Sequence, residues 1–330
     1  LSNELAYHIF WVYEQERSVI QVCGRNIMSN LDKTVNAAQV PDAQGLIAMS
    51  RANDIRKLAI SSGVDVVGIA PVERWDEFVP PGSRPYDMLP GAKSVVVVGV
   101  RGPSAGAWQS PDHRLIEMNG YDFANDRVIH QVADHIEQEY GYRAIQAPGL
   151  PVGGHQPAFS MMLAAVLAGL GTRSFAANII LNPKYGLLYY SACLTTLELP
   201  ADSMLEQDVC PAPMCVQVYK AGGRTPCQAA CPSDDGGCLH GTIGPDDRIE
   251  STYYDRERCV SRAMNFGINS FQKALEQIAN EDDDERRTMM IYSDFFTRST
   301  SGIAFYKESV AQCFECMRVC PIGRAERKLK

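Results

Sequence analysis

Apolar and polar positions fall in blocks whose period switches between helical and extended, and the order of the blocks predicts an α/β layer. Glu4 to Val22 carries Leu5, Ile9, Phe10, Val12, Ile20 and Val22 among charged residues, the spacing of an amphipathic helical arm. A polar connection rich in Gly, Asn and Gln follows up to Gly45. Between Ser50 and Trp75, Ile55, Leu58 and Ala59 recur at helical spacing, Gly63 stops the helix, and Val64 to Ala70 reads as a buried strand. Ser94 to Val100 predicts a second buried strand and Val128 to Tyr140 an amphipathic helix. Phe159 to Leu170 predicts an Ala/Met/Leu-rich helix buried nearly all round. Asn178 to Leu181 and Leu187 to Leu199 complete the sheet. After Pro200 the periodicity is lost and Cys, Pro, Gly and Asp dominate, as expected of short loops around cofactors. The predicted organisation is a helical arm over 1–49, an α/β core over 50–200 and a cysteine-rich unit over 201–330. The acidic run Glu281 to Glu285 reads as a solvated face.

Composition narrows the function classes. At 330 residues, 45% hydrophobic and 21% charged, the chain is long enough to bury a sizeable core without external staples. The longest apolar run, Met161 to Ala168, is far short of the ~20 residues of a membrane helix, so no membrane span is expected. The net charge is −8 and no Lys/Arg cluster exists, so a phosphate-tracking surface would work against the overall field and no nucleic-acid partner is expected. The chain opens at Leu1, so the compartment stays open: cytoplasm, or the periplasmic side of a membrane if an export leader preceded it. A homo-oligomer is equally open.

Cysteine is where the chain departs from the ordinary. Nine of the eleven cysteines fall in the last 121 residues, which suits metal binding better than the disulfide framework of a small secreted domain. Cys227-x3-Cys231-Pro232 is followed by Cys313-x2-Cys316-x3-Cys320-Pro321. In the two-cluster ferredoxin run C-x2-C-x2-C-x3-C-P, three cysteines hold one cubane and the fourth, before proline, crosses to the other. The second group matches closely. The first is stretched by Cys210-x4-Cys215-x11-Cys227, so an insertion must be accommodated, and Cys259 follows where a further ligand is needed. The crossover assigns Cys210, Cys215, Cys227 and Cys320 to one 4Fe-4S cluster and Cys231, Cys259, Cys313 and Cys316 to the other. Cys23, Cys193 and Cys238 are left as small buried residues. Tetrahedral zinc is the alternative occupant of four thiolates. Two oxidised clusters would each add about −2, taking the charge from −8 to about −12.

The segments KLAISSGVDVVGIAPV (57–72), SVVVVGV (94–100), HQVADHIEQEYGYRAIQAPG (130–149) and LAGLGTRSFAANIILNPKYGLLYYSACLTTLELP (167–200), with the two cysteine groups in that order, resemble the cobalamin-dependent iron-sulfur reductases. That family comprises reductive dehalogenases and epoxyqueuosine reductases. The resemblance covers about residues 50 to 325. It implies a nitroreductase-like α/β core holding a base-off corrinoid, followed by a ferredoxin-like domain whose two 4Fe-4S clusters feed electrons to cobalt. No D-x-H-x-x-G segment is present to supply a histidine beneath cobalamin, in keeping with a base-off corrinoid. The Gly169-Leu170-Gly171 turn and the Lys184-Tyr185-Gly186 turn would bring backbone close to the flat ring. Their plain reading is helix capping and hairpin turning.

The resemblance is closer to the dehalogenases. The segment from Asn119 to Tyr142 is similar to the one carrying their catalytic tyrosine, with Tyr121 at that position; a phenol there can protonate a developing carbanion. His155 stands where the epoxyqueuosine branch has its aspartate, and no aspartate lies between Gly149 and Arg173. Dehalogenases place a Lys or Arg beyond the GLG turn; here Phe175, Ala176 and Ala177 occupy that stretch, with Arg173 slightly early. His130 is a further polar candidate, and Trp75, Trp108, Phe123 and Tyr292 are candidates for the wall of an apolar cavity or for plain core. The expected activity is reductive cleavage of a carbon–halogen bond in a small organohalide, driven by an external low-potential electron donor. Tyr121 would be the acid, assisted by Arg173 or His155. The alternatives are an epoxyqueuosine reductase-like enzyme and a non-catalytic iron-sulfur and corrinoid electron carrier.

Overall fold

A computed structural model describes residues 43–102, 104–109, 124–148, 159–176, 179–231, 237–255, 268–293, 296 and 315–327. Tyr121, Phe123, His155, Cys23, Cys259 and Cys313 lie outside them, as does the arm expected over 4–22. The described chain is a mixed α/β fold on one antiparallel sheet. Helix α1 (Ala43–Ser61) leads into strands β1 (Val66–Pro71) and β2 (Ser94–Arg101), then helix α2 (Ala124–Tyr140), β3 (Ala144–Gln146), helix α3 (Met161–Leu167), β4 (Thr172–Arg173), β5 (Ile180–Asn182) and β6 (Gly186–Thr195). The strands run in the order β1-β2-β6-β5-β4, and β3 also pairs with β6. Strand β6 therefore meets β2 along one edge, from Leu188 opposite Arg101 to Thr195 opposite Ser94. Its other edge is shared by β5 and β3.

The unbroken valine run of β2 is buried on both faces, because each face of the sheet carries a helical layer. On one face Val96, Val98 and Cys193 pack with Ile55 and Ala59 of α1 and Ile129, Val132 and Ile136 of α2. On the other, Val95, Val97, Ala192 and Leu194 pack with Ala164, Ala165 and Leu167 of α3 and with Trp75 and Phe159. Each Val, Leu, Ile or Phe side chain among them contributes about 1.5–3 kcal/mol of burial. The Trp75 and Phe159 rings stack at 5.7 Å.

Two elements are shorter than periodicity predicts. Helix α3 begins only at Met161 because Ser160 caps it, accepting the Leu163 N–H at 3.2 Å. It ends before Gly169, whose φ of +71° turns the chain away. Strand β6 stops at Thr195 because side chains replace the ladder there: Thr195 Oγ1 donates to Arg143 O at 3.0 Å, and Ser94 Oγ accepts from the Leu199 N–H at 3.0 Å. The chain then crosses back to the outer edge of β1. Asp202 accepts from the Ile69 N–H at 2.8 Å and from Arg56 at 2.8 and 2.9 Å, covering part of an edge that would otherwise invite strand pairing.

Beyond residue 200 the described residues form helices α4 (Pro213–Gly222) and α5 (Pro226–Ala229), the two-stranded antiparallel sheet of β7 (Leu239–Ile243) and β8 (Ile249–Tyr254), helices α6 (Ile268–Ala279) and α7 (Asp284–Ile291), and helix α8 (Glu315–Arg318). A complete ferredoxin-like unit is not delineated among them. A third apolar cluster joins this region to the end of the sheet: Phe175, Leu181 and Leu187 pack with Val216, Leu239 and Met317. Arg318 adds a bond to the Trp108 carbonyl at 2.9 Å. Among the described residues no helix is long and apolar enough to cross a membrane.

Candidate metal centre

Cys210, Cys215, Cys227 and Cys320 line one cavity at the junction of the sheet and the cysteine-rich region. Four elements deliver them. Cys210 sits on a loop pinned to β4 by the Val209 N–H, which donates to Thr172 Oγ1 at 2.8 Å. Cys215 lies in the first turn of α4 behind Pro213, where proline is pre-set for a helix start. Cys227 lies in α5, whose capping box pairs Thr225 with Gln228. Cys320 closes the set from the turn after α8, its N–H donating to Met317 O at 3.2 Å. Phe175, Ala176, Leu181, Pro226, Met317 and Ile322 supply much of the wall.

The electrostatics of the set are those of four thiols held together without a counter-charge. Burial pushes Cys210 up to about 12, with Cys227, Cys320 and Cys215 adding to the rise; the Phe175 N–H, 3.3 Å from the Cys210 sulfur, works against it. Cys215 is pushed up to about 11 by burial and then by Cys227 and Cys320. Cys227 is raised by burial and by Cys320, while the Thr225 hydroxyl, 3.2 Å from its sulfur, lowers it. All six pairings among the four sulfurs therefore interact. Such a set ionises only when a cationic group occupies the cavity. Ser174 is also among the lining residues, and its buried hydroxyl has no hydrogen-bond partner among the described residues.

Of the other four cysteines paired by spacing, Cys231 and Cys316 are described, both half-buried. Cys193 is a core residue, its thiol pushed up to about 12 by burial. Cys238 is more than a spare buried residue, because its sulfur lies 3.4 Å from that of Cys231. The odd cysteine count was the only sequence signal for it.

The two turns assigned to the corrinoid ring meet through a residue that spacing did not single out. Buried Asn182 donates to Leu170 O at 2.7 Å and accepts the N–H groups of Lys184 and Tyr185, each at 3.0 Å. Leu170 itself points into the core. A Cβ at Gly169 would run into the Ser203 carbonyl, and one at Gly171 would lie 2.6 Å from Leu181 O, so the room these glycines leave is filled by the chain. Lys184 is exposed, its ammonium 4.7 Å from the Tyr185 ring centre, and its hydrogen bond to the Tyr185 phenol raises its pKa. Gly186 closes the turn with φ +70°.

Arg173 is half-buried in β4, opposite Ile180. Phe175, in the stretch where a basic residue was sought, is 1% exposed and faces the thiol cavity. His130 is exposed on α2 rather than in the core, because Val128, Ile129 and Val132 take the buried face. Tyr292 is 83% exposed and walls no cavity; Trp75 and Trp108 are core.

No family model and no curated protein matches the chain. Its structural neighbours are epoxyqueuosine reductases and reductive dehalogenases. These are the two branches that the sequence segments resemble. The epoxyqueuosine reductase of Bacillus subtilis aligns at 18% identity and TM-score 0.45, over 83% of this chain and 66% of that one. An epoxyqueuosine reductase with a modified tRNA-Tyr stem loop aligns at 17% and 0.47, over 85% and 67%. A catabolic reductive dehalogenase in complex with 3-bromo-4-hydroxybenzoic acid aligns at 18% and 0.48, over 87% of this chain and 38% of the dehalogenase. The chain thus spans about two thirds of the epoxyqueuosine reductases and under two fifths of that dehalogenase.

Proposed function

We propose that the chain is a corrinoid- and iron-sulfur-dependent oxidoreductase that reductively cleaves a carbon–halogen bond in a small organohalide. The observation that carries the reading is the convergence of Cys210, Cys215, Cys227 and Cys320, from four separate elements, on one apolar-walled cavity. The donor set fits an iron-sulfur cluster: all four donors are sulfur, and the Phe175 N–H and the Thr225 hydroxyl already lie against two of the sulfurs. Ser174 leaves a hydroxyl for a sulfide of the cluster. Four thiolates would also suit tetrahedral zinc, and the metal content of the loaded protein separates the two. The second set is Cys231, Cys259, Cys313 and Cys316.

When bound, the two 4Fe-4S clusters supply a one-electron relay and base-off cobalamin supplies the low-potential cobalt that breaks the bond. The chain's own residues bind, orient and protonate. Lys184, Tyr185, Gly186 and the Gly169–Gly171 turn would hold the ring, though not through the space over Gly169 and Gly171, which Ser203 and Leu181 fill. Tyr121 holds the proton on its phenol oxygen until the carbon needs it, with Arg173 or His155 orienting that phenol. Electrons come from an external low-potential donor. The net charge of −8 is the argument against a nucleic-acid substrate.

The test is protein purified anaerobically and loaded with iron, sulfide and cobalamin, followed by absorption and EPR spectroscopy and by halide release from halogenated phenols and ethenes under strong reductant. Iron, cobalt and released halide are expected. Zinc with neither iron nor cobalt overturns the reading. Turnover of an epoxyqueuosine oligonucleotide instead of halide release moves the chain to that branch. Cofactor reduction without turnover makes it an electron carrier.

A further inference from the structure

The geometry points to a redox-active dithiol at Cys231 and Cys238: in a chain without its second cluster, these two close into a reversible disulfide. Their sulfurs are 3.4 Å apart and no disulfide joins them, so a closure of little more than 1 Å reaches the bonded distance of about 2.05 Å. Two features hold them in place. The Cys238 N–H donates to the Cys231 sulfur at 3.0 Å, which favours a thiolate on Cys231. Gly237 stands between them at φ +87°, and a Cβ there would lie 2.7 Å from Cys231 Cβ and 2.8 Å from its sulfur. Only glycine lets the chain double back this closely.

The two cysteines differ in access. Cys238 is 7% exposed whereas Cys231 is half-buried, so Cys231 is the one an oxidant reaches and Cys238 the one that resolves. Neither lines the four-thiol cavity. Cys227, the nearest alternative partner in sequence, has its sulfur against the Thr225 hydroxyl. The oxidant is a low-molecular-weight disulfide. The Cys231 thiolate attacks one of its sulfurs, forming a mixed disulfide and releasing one thiol. Cys238 then attacks the Cys231 sulfur, its proton leaving with the second thiol. One oxidant disulfide is reduced to two thiols while two protein thiols become one disulfide.

The inference rests on the proposed function only in that a cluster bound at Cys231 would block the reaction. The full chain, stripped of iron, is treated with oxidised glutathione, its remaining thiols are alkylated, and it is digested with trypsin and with a protease that cuts before Asp234 and Asp235. Peptides carrying Cys231 and Cys238 should be recovered joined, with two hydrogens lost, and thiol reductant should part them. In Cys238→Ala, matched to the parent by far-UV circular dichroism, Cys231 should instead retain glutathione. In the iron-stripped chain, recovery of both residues alkylated, or of Cys231 joined to Cys227, overturns the inference. With iron and sulfide loaded, the joined pair should fall at least tenfold. A joined pair that forms equally in the iron-loaded chain overturns the ligand role of Cys231 and leaves the dithiol standing.

Discussion

The backbone N–H of Phe175 donates to the sulfur of Cys210 across 3.3 Å, joining the end of the sheet to the cysteine-rich region at one buried point. An N–H directed at sulfur stabilises the thiolate more than the thiol. The contact therefore gains strength when Cys210 becomes a ligand, and Phe175, 1% exposed, keeps water out of it.

Ser174, the preceding residue, carries a buried hydroxyl with no partner among the described residues. In Ser174→Ala the cluster-free chain should be as stable as the parent or slightly more so, because an unsatisfied buried hydroxyl is a cost. The loaded protein should show a more negative midpoint for the cluster at Cys210, since a hydrogen bond to cluster sulfur favours the reduced, more negative state. An EPR-monitored redox titration checks this; an unmoved midpoint would take Ser174 out of the site.

The two ligand sets should fail separately. Cys320→Ser, in the four-thiol cavity, and Cys231→Ser, outside it, should each lower bound iron and sulfide by about half. The two losses should have different EPR signatures. Iron and sulfide assays on reconstituted protein read the outcome, and full iron in Cys320→Ser would fault the grouping of Cys320 with Cys210, Cys215 and Cys227.

Thiol burial sets a pH dependence. Cys210 at about 12 and Cys215 at about 11 lie above their ordinary value of 9.0, so the cluster-free fold keeps protons that the unfolded chain releases. Their contribution to stability is complete below about pH 9 and is lost as pH rises towards the folded values. Denaturant midpoints of the cluster-free chain should fall between about pH 8.5 and 11, and Cys210→Ser should flatten that fall. Metal loading releases the same protons and is expected to tighten as pH rises.

Asn182 ties two turns with three hydrogen bonds. Asn182→Ala leaves the Leu170 carbonyl and the Lys184 and Tyr185 N–H groups without it and should cost about 1–3 kcal/mol by urea denaturation. If these turns flank the corrinoid, cobalamin affinity measured spectrophotometrically should fall by more than the loss of folded protein explains.

Local pattern carried the helices and strands whose apolar residues repeat without interruption. Val95 to Val98 can only be a strand buried on both faces, and the stripe of Val128, Val132 and Ile136 can only be one face of α2. Element ends were less legible, because the Ser160 cap and the Thr195 side-chain bonds act within one or two residues, below the resolution of a period. Single side chains were least legible: His130 lies on the exposed face of α2, and Tyr292, offered as cavity wall or core, follows the end of α7 and is 83% exposed.

The mixed α/β class was legible in period alone, and the expected grouping of eight cysteines in spacing, since both depend on covalent geometry over a few residues. The crossover of the ferredoxin pattern grouped Cys320 with Cys210, Cys215 and Cys227, and the tertiary structure lines one cavity with all four. It also set Asn182 between two turns and laid Cys238 against Cys231. Contacts across such separations are made by packing on a shared core, and no local period records them.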